Sequence, residues 1–241
     1  MTNKSNPDFI DQFSKGSFLL IHDNEFRENE TDIMIAGEFI TPQKITQMRT
    51  IGGGLLCVAI PYYFADKVGI PFMREILRSA GVDFPTLSQI IDTTREIDLQ
   101  SSHSITFNSR DSGGVTDYGR CKTVSDLVTL IKSTRGIYDI NSDSLNPRYA
   151  NHLIREHFLE TFESPGHLQL LIANKDLLKK RQGHTEISIF LTQKAKLSPV
   201  VVMCEMLDDE NYRSRPVDDC KKIAETLNMP FVESDHIVDL F

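Results

Sequence analysis

The sequence predicts a single α/β (α+β) domain, a mixed β-sheet covered by helices. Three observations lead there. Strand and helix signals are interleaved along the whole chain. Two runs, Leu55 to Ile60 and Pro199 to Met203, are apolar throughout, as strands buried on both faces are. No linker, internal repeat or low-complexity segment divides residues 1–241, so the chain reads as one domain.

The elements follow in order. Asn6 to Phe13 reads as a short amphipathic helix with Phe9, Ile10 and Phe13 on one side. Phe18 to His22 reads as the first strand and Asp32 to Ala36 as the second. Thr41 caps a helix with Pro42 at its first position and Ile45 and Met48 on its apolar face. That helix stops at Gly52-Gly53-Gly54, which also permits a close backbone approach. The Leu55–Ile60 strand is followed by short helices at Tyr62 to Val68 and Met73 to Ser79; Leu87 to Thr94 is open between helix and strand. Ser104 to Ser109 alternates as a strand does, and Gly113-Gly114 turns the chain. Thr123 with Asp126 resembles an acidic capping box opening a helix on Leu127, Leu130 and Ile131. Asp139 to Pro147 is a polar connection, and Arg148 to His157 a helix. Glu163 to His167 reads as a turn into a strand at Leu168 to Ala173. Gln182-Gly183-His184-Thr185 opens the next helix, with Ile187, Ile189, Phe190 and Leu191 buried. After the Pro199–Met203 strand come a helix at Val217 to Leu227 and a last strand at Pro230 to Glu233.

Composition narrows the function. Forty per cent hydrophobic and 25% charged residues are ordinary for a soluble protein. A formal charge of −8 argues against nonspecific nucleic-acid or membrane-surface binding. Cys57, Cys121, Cys204 and Cys220 form no CxxC pair and no zinc spacing, a usage that suits a reducing cytosol. No secretory signal opens the chain and no run approaches the length of a membrane helix, so the expected location is cytoplasmic.

The chemistry concentrates between the first two strands. Asp23-Asn24-Glu25-Phe26-Arg27-Glu28-Asn29-Glu30-Thr31-Asp32 packs five carboxylates and one arginine into ten residues. A generic acidic run is a solvated turn. Here the crowded carboxylates call for an offsetting positive charge. Hard cations want carboxylate oxygens, and an arginine fork suits phosphate. The loop therefore fits a metal together with an anionic substrate. Downstream, Arg181 precedes a predicted helix start at Gly183-His184-Thr185, where free N–H groups favour an anion; the bland alternative is a capped helix with an exposed arginine. His184 and His167, the latter after Pro165-Gly166, are candidate ligands or acid–base groups, though a lone histidine is more often neither. Glu205 ends an apolar strand, where partial desolvation would raise its pKa; otherwise it faces water. Cys57 and Cys204 read as small apolar core residues.

Taken together, these stretches resemble the 3,4-dihydroxy-2-butanone-4-phosphate synthase family of riboflavin biosynthesis. The matching pieces are Arg27-Glu28-Asn29-Glu30-Thr31-Asp32, Gly52 to Cys57, Ser164-Pro165-Gly166-His167, Arg181 to Glu186 and Cys204-Glu205, in the family's order, over about Phe18 to Met229. The resemblance implies the α/β fold shared with YrdC-type proteins, and conversion of D-ribulose 5-phosphate to L-3,4-dihydroxy-2-butanone 4-phosphate and formate with loss of carbon four. It implies a divalent cation, magnesium or manganese, held by Glu28 and His184. It implies substrate contacts from Arg27, Asp32, Arg181, Gly183, Thr185, Arg120 and Cys57, catalysis by His167 and Glu205, and proton transfer aided by Glu30 and Glu25. It also implies a homodimer with sites near the interface. Gly113 stands where the family has threonine and Gly119 where it has aspartate, while Arg120 and Thr123 keep their places. The zinc-binding cysteine cluster of the fused family members is absent, so the stand-alone form is expected. The competing readings are a metal-dependent phosphosugar isomerase that stops at the enediolate, and a non-catalytic RNA-binding module on the same fold; the acidic charge and the retained Glu28, His167, His184 and Glu205 weigh against the latter.

Overall fold

The protein is described from a computed structural model covering residues 8–24, 27–91, 101–140 and 147–241. The strands are Leu19–His22 (β1), Thr31–Ala36 (β2), Cys57–Ile60 (β3), His103–Ser109 (β4), Phe162–Ile172 (β5), Val201–Glu205 (β6) and Phe231–Glu233 (β7). They form one seven-stranded sheet in the order β4-β5-β3-β6-β2-β1-β7. β3 with β5 and β1 with β7 run parallel and the other neighbours antiparallel, so the sheet is mixed as predicted. The helices are Asp8–Ser14 (α1), Pro42–Ile51 (α2), Tyr62–Val68 (α3), Met73–Ala80 (α4), Pro85–Gln89 (α5), Asp117–Ile140 (α6), Pro147–Thr161 (α7), His184–Lys194 (α8), Val217–Thr226 (α9) and Ser234–Val238 (α10). Among the described residues, no helix is long and apolar enough to cross a membrane.

Period-two alternation divides the apolar residues between the two faces. Leu20, Ile33, Ile35, Val58, Ile60, Val202 and Leu170 point into a core closed by α2, α3, α6, α7 and α9. Leu19, Ile21, Met34, Cys57, Ala59, Val201 and Met203 point the other way, onto α1, α8 and α10. α8 lies in this second layer. Every residue from His184 to Thr192 is buried, which is why the sequence there is apolar or small on all sides rather than amphipathic.

Local signals held where they were self-contained. Thr41 caps α2 by accepting the Lys44 N–H at 3.2 Å. Tyr62–Val68 is a helix over the predicted residues and ends at Gly69 in the left-handed conformation. Three expectations need correction. The helix assigned to Thr123 begins six residues earlier, at Asp117; Thr123 is interior, its hydroxyl donating to the Gly119 carbonyl and accepting the Ser109 N–H. Asp126 instead takes bonds from Ser109 and Lys122. The polar stretch from Asp139 still belongs to α6 as far as Ile140, and 141–146 lie outside the described residues. The turn assigned to Glu163–His167 is part of β5, because Gly166 lets the backbone lie against Phe107 and Asn108 where any Cβ would collide. Leu87 belongs to α5, which ends at Gln89; 92–94 are not described.

Candidate active site

Strand register builds the floor of the site. β2 and β6 pair so that Asp32 lies opposite Glu205, and Cys57 on β3 lies opposite Met203 and Gln169. Asp32, Cys57, Met203 and Glu205 therefore share the α8 face at one end of the sheet. They line a cavity of about 250 Å³. The acidic loop adds Glu28 and Glu30 to its wall, and α8 with the residues before it adds Arg181, His184 and Thr185. Asp32 is thus a strand residue, and its carboxylate reaches the cavity from β2 rather than from the loop.

Asp23 organises the loop. Its buried carboxylate accepts the backbone N–H groups of Glu28 and Glu30 at 3.3 and 3.0 Å, and lies 3.7 Å from Arg27 Nε. This folds the loop back on itself and turns Arg27 inward. All three guanidinium nitrogens of Arg27 are buried without a hydrogen-bond partner. A buried donor left unmet costs ~1–3 kcal/mol, more when charged, so such a group marks a ligand position. Gly183, the residue capping α8, explains where. A Cβ there would clash with Arg181 Nη1 and stand 3.0 Å from Arg27 Nη1, so both guanidiniums converge on the helix N-terminus. Two like charges beside free N–H groups call for an anion. Arg181 is held by the fully buried Glu186, which also accepts the Asn174 N–H at 2.8 Å.

The carboxylates are set apart by their surroundings. Burial raises Asp32 from 3.8 to about 7, helped by Glu205, Glu28 and Glu30 and opposed by His184, whose Nδ1 is 3.6 Å away. Between the unfolded value of 3.8 and about 7, only the folded state keeps this proton, so Asp32 makes stability fall as pH rises through that window. Without divalent cations, Asp32→Asn is expected to be more stable than wild type above the window, by up to about 4 kcal/mol at 1.36 kcal/mol per unit, and no more stable below it. Urea unfolding at several pH values checks this; parallel profiles for the two proteins would refute it. Glu205 is fixed differently, its Oε2 accepting the Leu55 N–H at 2.7 Å. Gly54 must lack a Cβ, which would meet the Glu205 side chain. The glycine turn thus serves Glu205. Glu30 accepts the Ser214 hydroxyl at 2.7 Å.

The donor set fits a hard divalent cation. Ligand atoms of Asp23, Glu28 and His184 lie within 4.8 Å of one another. His184 Nε2 is 3.2 Å from the Ile21 carbonyl; donating there leaves the Nδ1 lone pair free for a metal. Asp23, absent from the expected ligand pair, joins it only through this folding of the loop. Cys57 is no nucleophile, since burial, with Glu205 and Asp32 nearby, pushes its thiol well up.

Not every expected residue is here. Glu25 lies outside the described residues. His167 does not line the cavity. It sits exposed on the same face of β5 as the cavity residue Leu171, four residues away, which is about 13 Å at the strand rise. Arg120 is likewise elsewhere, in the first turn of α6, with its buried Nε unpartnered. At Gly119 any Cβ would collide with the Ser112 and Gly114 carbonyls, so this backbone admits no aspartate there; the acidic residue at the start of α6 is Asp117, bonded by Thr46 and Arg49. Ser101, Ser102 and His103 complete the cavity and were not anticipated. Ser101 Oγ is 2.6 Å from His103 Nδ1, and burial lowers the His103 pKa. A polar run leading into a strand carries no signal of this role.

A profile of the family described as 3,4-dihydroxy-2-butanone 4-phosphate synthase matches residues 7–240. The synthase of Archaeoglobus fulgidus is 35% identical over 229 residues, covering 94% of this chain and 90% of that protein. That of Methanothermobacter thermautotrophicus is 33% identical over 228 residues, covering 94% and 91%. The crystal structure of the Candida albicans enzyme superposes with a TM-score of 0.67 at 23% identity, over 97% of this chain and 95% of that one. A synthase structure in complex with two magnesium ions gives 0.67 at 21%, over 96% and 94%. The profile match over nearly the whole length and the identity with two archaeal synthases place the chain in one family: it belongs to the 3,4-dihydroxy-2-butanone 4-phosphate synthases.

Proposed function

We propose that this cavity converts D-ribulose 5-phosphate to L-3,4-dihydroxy-2-butanone 4-phosphate and formate. The observation that carries the reading is the convergence of Arg27 and Arg181 on the N-terminus of α8, beside a wall of carboxylates. The arginines and the helix end grip the phosphate and set the register of the sugar chain over β2 and β6. Thr185, in the first turn of α8, adds a hydroxyl.

Product and formate together contain all the atoms of the substrate, so the protein has protons to move and carbons to hold in place. Glu30, oriented by Ser214, and Glu205, oriented by Leu55, serve as fixed acid–base groups. Asp32, its pKa raised by burial in the cation-free protein, is a third group placed to carry a proton. Cys57 and Met203 close the floor and exclude water. Glu28 and His184 would hold a divalent cation, magnesium as in the related structure, with Asp23 alongside. When bound, the cation supplies Lewis-acid polarisation of substrate oxygens. His167 and Arg120 enter from a second copy of the chain in a homodimer, which reconciles their place on the fold with the roles the family resemblance gives them. Glu25, in the same acidic loop, assists proton transfer.

The test is formate release from substrate labelled at carbon four, followed by NMR. Labelled formate that appears with magnesium and stops on chelation is expected. Substrate consumed without formate would favour the isomerase reading.

A further inference from the structure

We propose that Asn108 presets His167 as the tautomer protonated on Nε2, so that this imidazole meets substrate as a hydrogen-bond donor and not as a base. The functional half rests on the reading of His167 as a site residue; the tautomer itself does not.

Asn108 lies on β4, buried, at a register irregularity against β5. Its Oδ1 is 2.9 Å from the backbone nitrogen of His167. A backbone N–H only donates, so the amide oxygen is the atom that occupies this position. The amide nitrogen is then the group 2.9 Å from His167 Nδ1. An amide NH₂ also only donates, so Nδ1 is the acceptor and the ring proton resides on Nε2. The second bond is oriented by the first, and rotating the amide would break both.

The surroundings keep that nitrogen in place. The turn at Gly114, with φ +79°, passes so close that a Cβ would stand 3.2 Å from His167 Cε1 and 3.4 Å from Nδ1. The Nδ1 edge is therefore enclosed by β4 on one side and by this turn on the other, while the ring as a whole is exposed. Nε2–H faces outward. A neutral imidazole aimed this way polarises a carbonyl or enol oxygen without having to give up its charge state. Asn108 is a positioning residue, acting through His167.

The experiment uses the full-length protein with ¹⁵N-labelled histidine, and long-range ¹H–¹⁵N spectra assigned with His167→Ala. The wild type is expected to show His167 with an acceptor-type Nδ1 and a protonated Nε2. Asn108→Asp keeps the oxygen that holds the His167 N–H but turns the second atom into an acceptor. It is expected to move the ring proton to Nδ1 and to lower kcat by about a hundredfold, the lower end of what a positioned proton donor contributes, with KM little changed. Asn108→Ser, with a hydroxyl that can donate or accept, should give a mixture of tautomers and an intermediate kcat. A wild-type ring protonated on Nδ1 overturns the assignment. A swapped tautomer with full activity overturns its role in the reaction. His167→Ala with unimpaired turnover would sink the site reading and the catalytic part with it, while the spectra still decide the tautomer.

Discussion

Mixing inactive Glu28→Gln protein with inactive His167→Ala protein is expected to restore formate release to about a quarter of the wild-type rate, the yield of random pairing in a two-fold dimer. Each variant alone should fall by a factor of about 100 or more, Glu28→Gln by losing a metal ligand and His167→Ala by losing a positioned hydrogen-bond donor. Glu28 lines the cavity beside His184, whereas His167 stands further along β5, held away by Asn108. In the proposed dimer, each site takes Glu28 from one protomer and His167 from the other. In a mixed dimer one site carries both substitutions and the other neither, and half of randomly formed dimers are mixed. Co-refolding the two variants and assaying formate measures this. No recovery, with mixed dimers present, would mean that each protomer works alone and that His167 acts outside the site.

Replacing Glu186 by leucine is expected to destabilise the protein by about 3–5 kcal/mol, the usual cost of removing one partner of a buried ion pair. Glu186 is fully buried, pairs with Arg181, and accepts the Asn174 N–H. Its loss leaves the largely buried Arg181 without that counter-charge and an amide without an acceptor. Arg181 would then also lose its aim at the helix end, so KM for the phosphosugar should rise. Denaturant midpoints and steady-state kinetics read the two effects. A loss below about 1 kcal/mol would place the pair among those worth little, as at surfaces, and remove it as the support of the phosphate grip.

Local sequence determined a good deal of this protein. The Thr41 cap, the Tyr62–Val68 helix, the apolar β3 and β6 strands and the helix start at Gly183 each depend on residues within a turn or two of one another. Capping, apolar runs and glycine punctuation act over that range, and so are legible. The family resemblance likewise brought forward Glu28, Glu30, Asp32, Arg181, His184, Thr185 and Glu205, all of which line one cavity. Tertiary structure alone decided what those residues face. Asp32 and Glu205, 173 positions apart in the sequence, become neighbours only through the register of β2 on β6. Ser214 on Glu30, Asn108 on His167 and the Ser101–His103 wall are contacts between segments whose own sequence favours no partner. The extension of α6 to Asp117 and the passage of β5 through Pro165 and Gly166 came from packing against β4 and the glycine turn, which overrode the local signals for a later cap and a break. Short-range preferences are written residue by residue, whereas a buried carboxylate or an oriented imidazole owes its state to atoms brought from elsewhere in the chain.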